Sequence, residues 1–176
     1  LMALFSKEYK FSKIAPFTFA SLAFLVVPSA LMLFMYREDF FSHRAGPSLI
    51  ILSYALMWVN DTFAYIIGSL CGKHKLFPRI SPGKSIEGSI GGLIFTILGL
   101  LIYAHITESL SVAEAVGLGL CGVVFGTLGD LCESMLKRQA GVKDSGNLIP
   151  GHGGILDRFD SVMFGVPFIF VYLQLL

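Results

Sequence analysis

The sequence has 176 residues, of which 55% are hydrophobic and only 14% are charged, and its mean hydropathy is +0.75. A water-soluble domain needs more charge to cover its surface, so this composition excludes an ordinary soluble protein. The net charge of +1 gives no electrostatic argument for a nucleic-acid partner. The apolar runs are long and continuous, which predicts a single membrane domain of α-helices over residues 1–176.

Five apolar stretches follow one another along the chain, separated by polar or turn-rich connections. Each is close to the length of about 20 residues that a helix needs to cross the hydrocarbon core. The predicted spans are 14–36, 48–70, 86–105, 112–136 and 159–176. The sequence therefore predicts an all-α polytopic membrane protein with about five transmembrane helices, and a basic, turn-rich loop between the second and third.

The distribution of Lys and Arg indicates the orientation of these spans. Of the 13 basic residues, three precede the first span, four follow the second, and four lie around the connection before the last. Two lie in the first connection and none in the third. Because alternate connections share a side, the positive-inside rule predicts that the N-terminal stretch and the second and fourth connections face the cytoplasm.

Residues 129–160 carry an unusual density of charge for so apolar a chain. Charges beside a membrane span are costly unless they are paired, metal-bound or hydrated, so the segment indicates a functional site. Carboxylates suit Mg²⁺, Lys and Arg suit phosphate, and the glycine-rich turn 150–154 lets backbone amides approach an anion. The charged residues and the histidine of this signature segment are Asp130, Glu133, Lys137, Arg138, Lys143, Asp144, His152, Asp157, Arg158 and Asp160.

Two helical faces are predicted to line a site. Asp61 lies inside the second span, where an ionised carboxylate needs a partner or a wet cavity. Helical spacing puts Tyr65 on the same face, which we expect to line that cavity; a purely structural hydrogen bond is the alternative. Asp130, Ser134 and Lys137 share a face at the end of the fourth span, with an ordinary ion-paired helix end as the alternative.

Asp157 and Asp160 flank Arg158 at the start of the last span. A helix dipole favours carboxylates there without any function, which accounts for one of the two but not for the glycine run before them. Asp130 and Asp157 come from different helices, and we expect that their carboxylates can meet around one Mg²⁺ ion.

The signature segment resembles that of the phosphatidate cytidylyltransferases, also called CDP-diacylglycerol synthases. Their pattern reads Ser-x-x-Lys-Arg, four residues, Lys-Asp-x-Gly, then Pro-Gly-His-Gly-Gly, two residues, and Asp-Arg-x-Asp. This chain matches it over residues 134–160 without departure. The stretches 58–65 and 81–88 also resemble the family, so the likeness covers residues 50–176.

The resemblance implies an enzyme of phospholipid biosynthesis that transfers CMP from CTP to phosphatidic acid, giving CDP-diacylglycerol and pyrophosphate. It implies Mg²⁺ as the cofactor, with K⁺ as a candidate second ion, in a polar cavity on the cytoplasmic side. The implied metal ligands are Asp130, Asp157 and Asp160, with Asp144 as a weaker candidate, and the implied catalytic residues are Asp130, Asp157, Lys137 and Ser134. The implied substrate-binding residues are Asp61, Arg79, Lys84, Ser85, Arg138, Lys143, His152, Gly153, Gly154 and Arg158. Six basic residues are thus candidates for phosphate binding: Arg79, Lys84, Lys137, Arg138, Lys143 and Arg158. For about two of them the alternative is attraction of basic loops to anionic lipid head groups.

The resemblance further implies the bacterial inner membrane as the location. Family members are longer, so we expect N-terminal spans that this chain lacks, and the glycine-lined helices permit a homodimer without requiring one. Two other functions stay open. A CTP-dependent polyprenol or phytol kinase would need a base for its alcohol acceptor. A membrane transporter with a charged cavity would be expected to have discontinuous spans or inverted repeats.

Overall fold

The computed structural model describes residues 11–36, 46–146 and 154–175. Within these ranges the chain forms five α-helices and one two-stranded hairpin. In chain order the elements are α1 (Phe11–Tyr36), α2 (Gly46–Cys71), β1 (Lys75–Phe77), β2 (Ser81–Ser85), α3 (Ile86–Thr107), α4 (Val112–Gln139) and α5 (Leu156–Gln174). Each predicted span falls on one of these helices, so the prediction of a polytopic, helical membrane fold is confirmed.

Helices α1 to α4 are long and apolar enough to cross a membrane. Their apolar windows are Phe19–Tyr36, Leu49–Cys71, Ile86–Thr107 and Val112–Gln139. Helix α5 has 19 residues, but it begins three residues before the predicted span and carries Asp157, Arg158 and Asp160 near its start. The last helix therefore begins inside the polar signature segment, and only its remainder is apolar.

The connection between α2 and α3 differs from the predicted loop, because β1 and β2 pair as an antiparallel hairpin. Ser85 ends the hairpin and caps α3, its hydroxyl accepting a hydrogen bond from the Gly88 amide at 3.1 Å. The Glu87 carboxylate accepts the backbone N–H groups of Lys73 and His74 at 3.2 Å. These local bonds fix the hairpin to the first turn of α3, so its side chains are held beside the helix bundle.

Close helix packing brings the charged residues together. Helix α3 packs mainly on α2, and α5 packs mainly on α4. A Cβ atom added at Gly92 of α3 would lie 2.6 Å from the side-chain oxygen of Asn60 and 2.7 Å from its carbonyl oxygen. A Cβ atom at Gly129 of α4 would lie 2.9 Å from the carbonyl oxygen of Asp160. These contacts are shorter than a side chain permits, so the helices approach closely at these glycines.

Gly92→Ala is expected to destabilise the protein by about 1–3 kcal/mol, because the new methyl group would meet the α2 backbone. The measurement is the thermal unfolding midpoint of the purified protein in detergent. Gly99→Ala is the matched control in the same helix, where an added Cβ meets nothing within 4 Å. Equal unfolding midpoints for the two variants would contradict the α2–α3 packing described here.

Candidate functional site

Asp61 of α2 lines two cavities whose walls carry charged and hydroxyl-bearing side chains. The first, the hairpin cavity, has a volume of about 300 Å³ and lies between α2, the hairpin, α3 and α4. It is lined by Asn60, Asp61, Ala64, Tyr65, Ser81, Gly83, Lys84, Ser85, Ser89, Thr127 and Asp130. The second, the α5 cavity, has a volume of about 210 Å³ and lies between α2 and α5. It is lined by Met57, Trp58, Asp61, Thr62, Asp157, Arg158, Asp160, Ser161 and Val162.

An ion pair joins the two sides of the hairpin cavity. Lys84 of β2 contacts Asp130 of α4, and both side chains are about one quarter exposed, at 25% and 24%. The Ser134 hydroxyl donates a hydrogen bond to Asp130 at 3.2 Å, from one turn further along α4. The second connection and the signature segment therefore lie at the same end of the bundle, as the basic residues predicted. That this end faces the cytoplasm stays a prediction.

A second group of charges lies between α4 and α5. The Lys137 ammonium group contacts the Asp157 carboxylate at 2.7 Å and the Glu133 carboxylate at 3.3 Å. The side chains of Lys137, Glu133 and Asp157 are only 15%, 4% and 8% exposed. Loss of one partner from such a buried group leaves an uncompensated charge, so the three side chains depend on one another.

Asp157 uses both carboxylate oxygens to bind Lys137, Ser145 and Gly154. Besides Lys137, its oxygens accept the Ser145 amide at 2.9 Å, the Ser145 hydroxyl at 3.0 Å and the Gly154 amide at 2.8 Å. Burial opposes ionisation of Asp157, but these donors outweigh it and hold the pKa of the carboxyl below its usual range. Asp157 therefore ties residues 145 and 154 together at the start of α5.

Carboxylates from three helices converge near Asp61. Asp61 interacts electrostatically with Lys84, Asp130 and Asp160, and it accepts a hydrogen bond from the Asn60 amide at 3.3 Å. Asp160 is buried and also accepts the Ser161 backbone N–H at 2.6 Å. Because Asp61 lines both cavities, it interacts electrostatically with an acidic group of each one, Asp130 and Asp160.

Acidic side chains outnumber basic ones in and beside the two cavities. The cluster has five carboxyl groups and three basic side chains. Its members are Asp61, Asp130, Glu133, Asp157 and Asp160, with Lys84, Lys137 and Arg158. Within the described residues the buried Oε1 of Glu133 has no hydrogen-bond partner, and this side chain interacts with Asp160, another acid. A cluster of carboxyl oxygens supplies the type of ligand that Mg²⁺ prefers.

The described part of the chain contains no group of three or more His, Cys, Asp or Glu side chains already arranged around a metal position. The ligand set Asp130, Asp157 and Asp160 therefore stays a prediction, as do Mg²⁺ and K⁺. All three aspartates already accept protein donors, and Asp157 accepts the most, from Lys137, Ser145 and Gly154. Asp130 contacts Ser134 and Lys84, and Asp160 accepts the Ser161 backbone N–H.

The other predicted site residues fall into two groups. Asp61, Lys84 and Ser85 line the hairpin cavity, although the Ser85 hydroxyl is already used as the helix cap. Arg158 lines the α5 cavity, and Gly154 is buried beside Asp157. Four predicted residues are exposed and line neither cavity: Arg79, Arg138, Lys143 and Asp144. His152 and Gly153 lie outside the described residues.

Some residues at the site were not predicted from the sequence. Thr127 lines the hairpin cavity, and its spacing of three residues from Asp130 was a usable signal. Ser145 occupies an unspecified position of the signature, so its hydrogen bonds to Asp157 had no sequence signal. Trp58 lines the α5 cavity from α2, one helical turn before the predicted Asp61.

Comparisons with known proteins show the family of the chain. The model of the cytidylyltransferase family matches residues 1–176. The chain is similar to proteins named phosphatidate cytidylyltransferase from Staphylococcus aureus (strain COL), at 42% identity over 158 residues, and Staphylococcus haemolyticus (strain JCSC1435), at 44% over 158 residues. Each alignment covers 89% of this chain and 61% of the relative. The chain thus spans about three fifths of the length of these curated relatives.

Proposed function

Because this chain belongs to the cytidylyltransferase family, we propose that it forms the catalytic part of a phosphatidate cytidylyltransferase. The reaction would transfer the CMP group of CTP to phosphatidic acid and release pyrophosphate. The relatives named above carry that name at more than 40% identity, which supports the substrates CTP and phosphatidate. The observation that carries the proposal is the convergence at Asp61 of two polar cavities with acidic and basic side chains from four elements.

The basic residues of the cluster supply phosphate binding in this proposal. Both substrates are anionic, so their mutual repulsion must be cancelled before they can approach each other. Lys84 in the hairpin cavity and Arg158 in the α5 cavity lie on opposite sides of Asp61. We assign one anionic substrate to each cavity, with the reacting phosphates meeting beside Asp61. Lys137, which is buried among carboxylates, fixes the acidic groups between them.

We propose that Asp61, Asp130 and Asp160 hold the Mg²⁺ ion. They are the carboxylates that interact at Asp61, and each accepts fewer protein donors than Asp157, which contacts Lys137, Ser145 and Gly154. Bound Mg²⁺ would neutralise charge on the phosphates and orient them. Asp157 then acts as a positioning residue that holds Ser145 and Gly154 together.

The bond changes follow from the chemistry of the two substrates. A phosphatidate oxygen forms a bond to the α-phosphorus of CTP, and the bond from that phosphorus to the oxygen that bridges the α- and β-phosphates breaks. Pyrophosphate leaves with that oxygen. The nucleophile is an ionised phosphate oxygen, so the protein needs no general base to remove a proton. Lys84 and Arg158 would hold the two substrates in line, and the Ser134 hydroxyl would keep Asp130 oriented through its hydrogen bond.

We further propose that the site faces the cytoplasm of a bacterial cell, from its inner membrane. The support is the concentration of basic residues at the hairpin and signature segment, together with the bacterial origin of the relatives. A nucleotide substrate is available on that side. The glycine-lined helices permit a homodimer, and a possible second copy plays no part in this mechanism.

The test uses purified, membrane-reconstituted protein with Mg²⁺, phosphatidate and CTP labelled at its α-phosphate. The expected product is lipid carrying the labelled phosphate, with one pyrophosphate released for each lipid. A second incubation contains γ-labelled CTP and a polyprenol or phytol acceptor. Transfer of the γ-label to the alcohol would identify a kinase, and no nucleotide turnover in either incubation would favour a transporter; both results would overturn the proposal.

A further inference from the structure

An apolar groove lies beside the hairpin cavity, on the outside of α3 and α4. Its volume is about 320 Å³, and its walls come from β1, the first two turns of α3 and the middle of α4. Phe77, Ile86, Ile90, Val124 and Leu128 line it, and each of these side chains is between 42% and 54% exposed. The groove therefore presents an apolar channel toward the bilayer.

The groove and the hairpin cavity share two wall residues. Ser89 of α3 and Thr127 of α4 line both spaces, so the polar cavity and the apolar groove meet along one boundary. On the polar side of that boundary lie Lys84 and the hydroxyl groups of Ser81 and Ser85. On the other side the lining is hydrocarbon. The combined surface matches an amphiphile with an anionic head and an apolar tail.

The depth of the groove agrees with this match. Residues 86–93 of α3 advance about 10 Å along the helix axis. They begin at the hairpin, which marks the polar end of the bundle, and run into the apolar span. A tail in the groove would thus extend into the membrane while its head group stays level with Lys84.

We propose that this groove holds one acyl chain of the lipid substrate while its phosphate occupies the hairpin cavity, an inference that rests on the proposed function. This arrangement assigns phosphatidate to the hairpin cavity and leaves the α5 cavity to the nucleotide. Because lipid tails already surround the protein, the groove gains little from hydrophobic transfer. It selects by shape instead, so Ile90 and Val124 determine how well chains of different length fit.

The first test places a bulky side chain in the groove with Val124→Trp and, separately, Ile90→Trp. The measurement is the ratio of kcat/KM for dioleoyl over dioctanoyl phosphatidate, in mixed micelles. We expect each variant to lower this ratio about fivefold or more, because the longer chain loses the groove first. Ile102→Trp is the matched control: it is also on α3, is 61% exposed and lies outside the groove, so the ratio should stay unchanged.

The second test does not depend on catalysis. Dioctanoyl phosphatidate with a photoreactive diazirine at the end of one acyl chain is irradiated with the wild-type protein, and the labelled peptides are identified by mass spectrometry. Labelling is expected on residues 86–93 and 123–131, and excess unlabelled phosphatidate, but not phosphatidylcholine, should suppress it.

The outcomes separate the two proposals. Normal CDP-lipid formation with an unchanged chain-length ratio in both groove variants would overturn the acyl-chain assignment and leave the proposed function standing. Absence of CDP-lipid formation by the wild type would overturn the proposed function. Labelling suppressed equally by phosphatidylcholine would mark the groove as an annular lipid contact, and a change of oligomeric state in the tryptophan variants would assign it to a second copy. Either result would overturn the inference.

Discussion

Asp130→Asn is expected to lower kcat/KM for CDP-lipid formation by about 10²–10³-fold, the loss typical when one electrostatic contact to a transition state is removed. Asp130 lies at the hairpin cavity, contacts Lys84 and interacts electrostatically with Asp61. The substitution removes a proposed metal ligand and leaves Lys84 without its charged partner. The measurement is transfer of label from α-labelled CTP to phosphatidate at saturating Mg²⁺.

Two controls make the result specific. Asp130→Asn should retain the thermal unfolding midpoint to within a few degrees, because the site is partly exposed and the amide keeps the shape of the carboxylate. Glu108→Gln also replaces a carboxylate by an amide, but at an exposed position at the end of α3 that lies away from the hairpin. The activity of this variant should equal that of the wild type. Near-normal activity of Asp130→Asn would remove Asp130 from the catalytic machinery and the metal site.

Asp157→Asn is expected to reduce activity strongly for a different reason. The amide cannot accept all the hydrogen bonds that the carboxylate receives from Lys137, Ser145 and Gly154. Lys137 would lose one of its two buried acidic partners, and breaking such a pair typically costs about 3–5 kcal/mol. We therefore expect a lower unfolding midpoint and faster amide hydrogen exchange at residues 145 and 154.

Metal binding distinguishes a positioning role of Asp157 from direct ligation. Mn²⁺ serves as the probe, and its dissociation constant is measured by electron paramagnetic resonance for each variant. Asp157→Asn should change this constant by less than about threefold, whereas Asp130→Asn should raise it about tenfold or more, within the range of losses seen at metal sites. Ser145→Ala keeps the backbone amide and removes only the hydroxyl, so it should cost about 1 kcal/mol. Loss of Mn²⁺ affinity in Asp157→Asn with unchanged hydrogen exchange would make Asp157 a ligand instead.

The helices were predictable because their signal is local. An apolar stretch of about 20 residues leaves few alternatives in a membrane, so the predicted spans each fall on a helix. That the hairpin and the signature segment lie at the same end of the helix bundle followed from the distribution of Lys and Arg. The hairpin itself was not predicted, since short strands bounded by Pro and Gly give little periodicity.

The sequence alone determined the class of protein, the number of long helices, and which segment holds the charged groups. It did so because membrane burial forbids unpaired charge, so charged residues in an apolar chain mark their own site. Only the tertiary structure decided how those groups pair. Asp157 closes a loop with Ser145, Asp61 joins two cavities, and Lys84 reaches Asp130 across the α2–α4 space. Such pairing depends on how closely helices approach at positions like Gly92 and Gly129, and that distance is a property of the packed bundle.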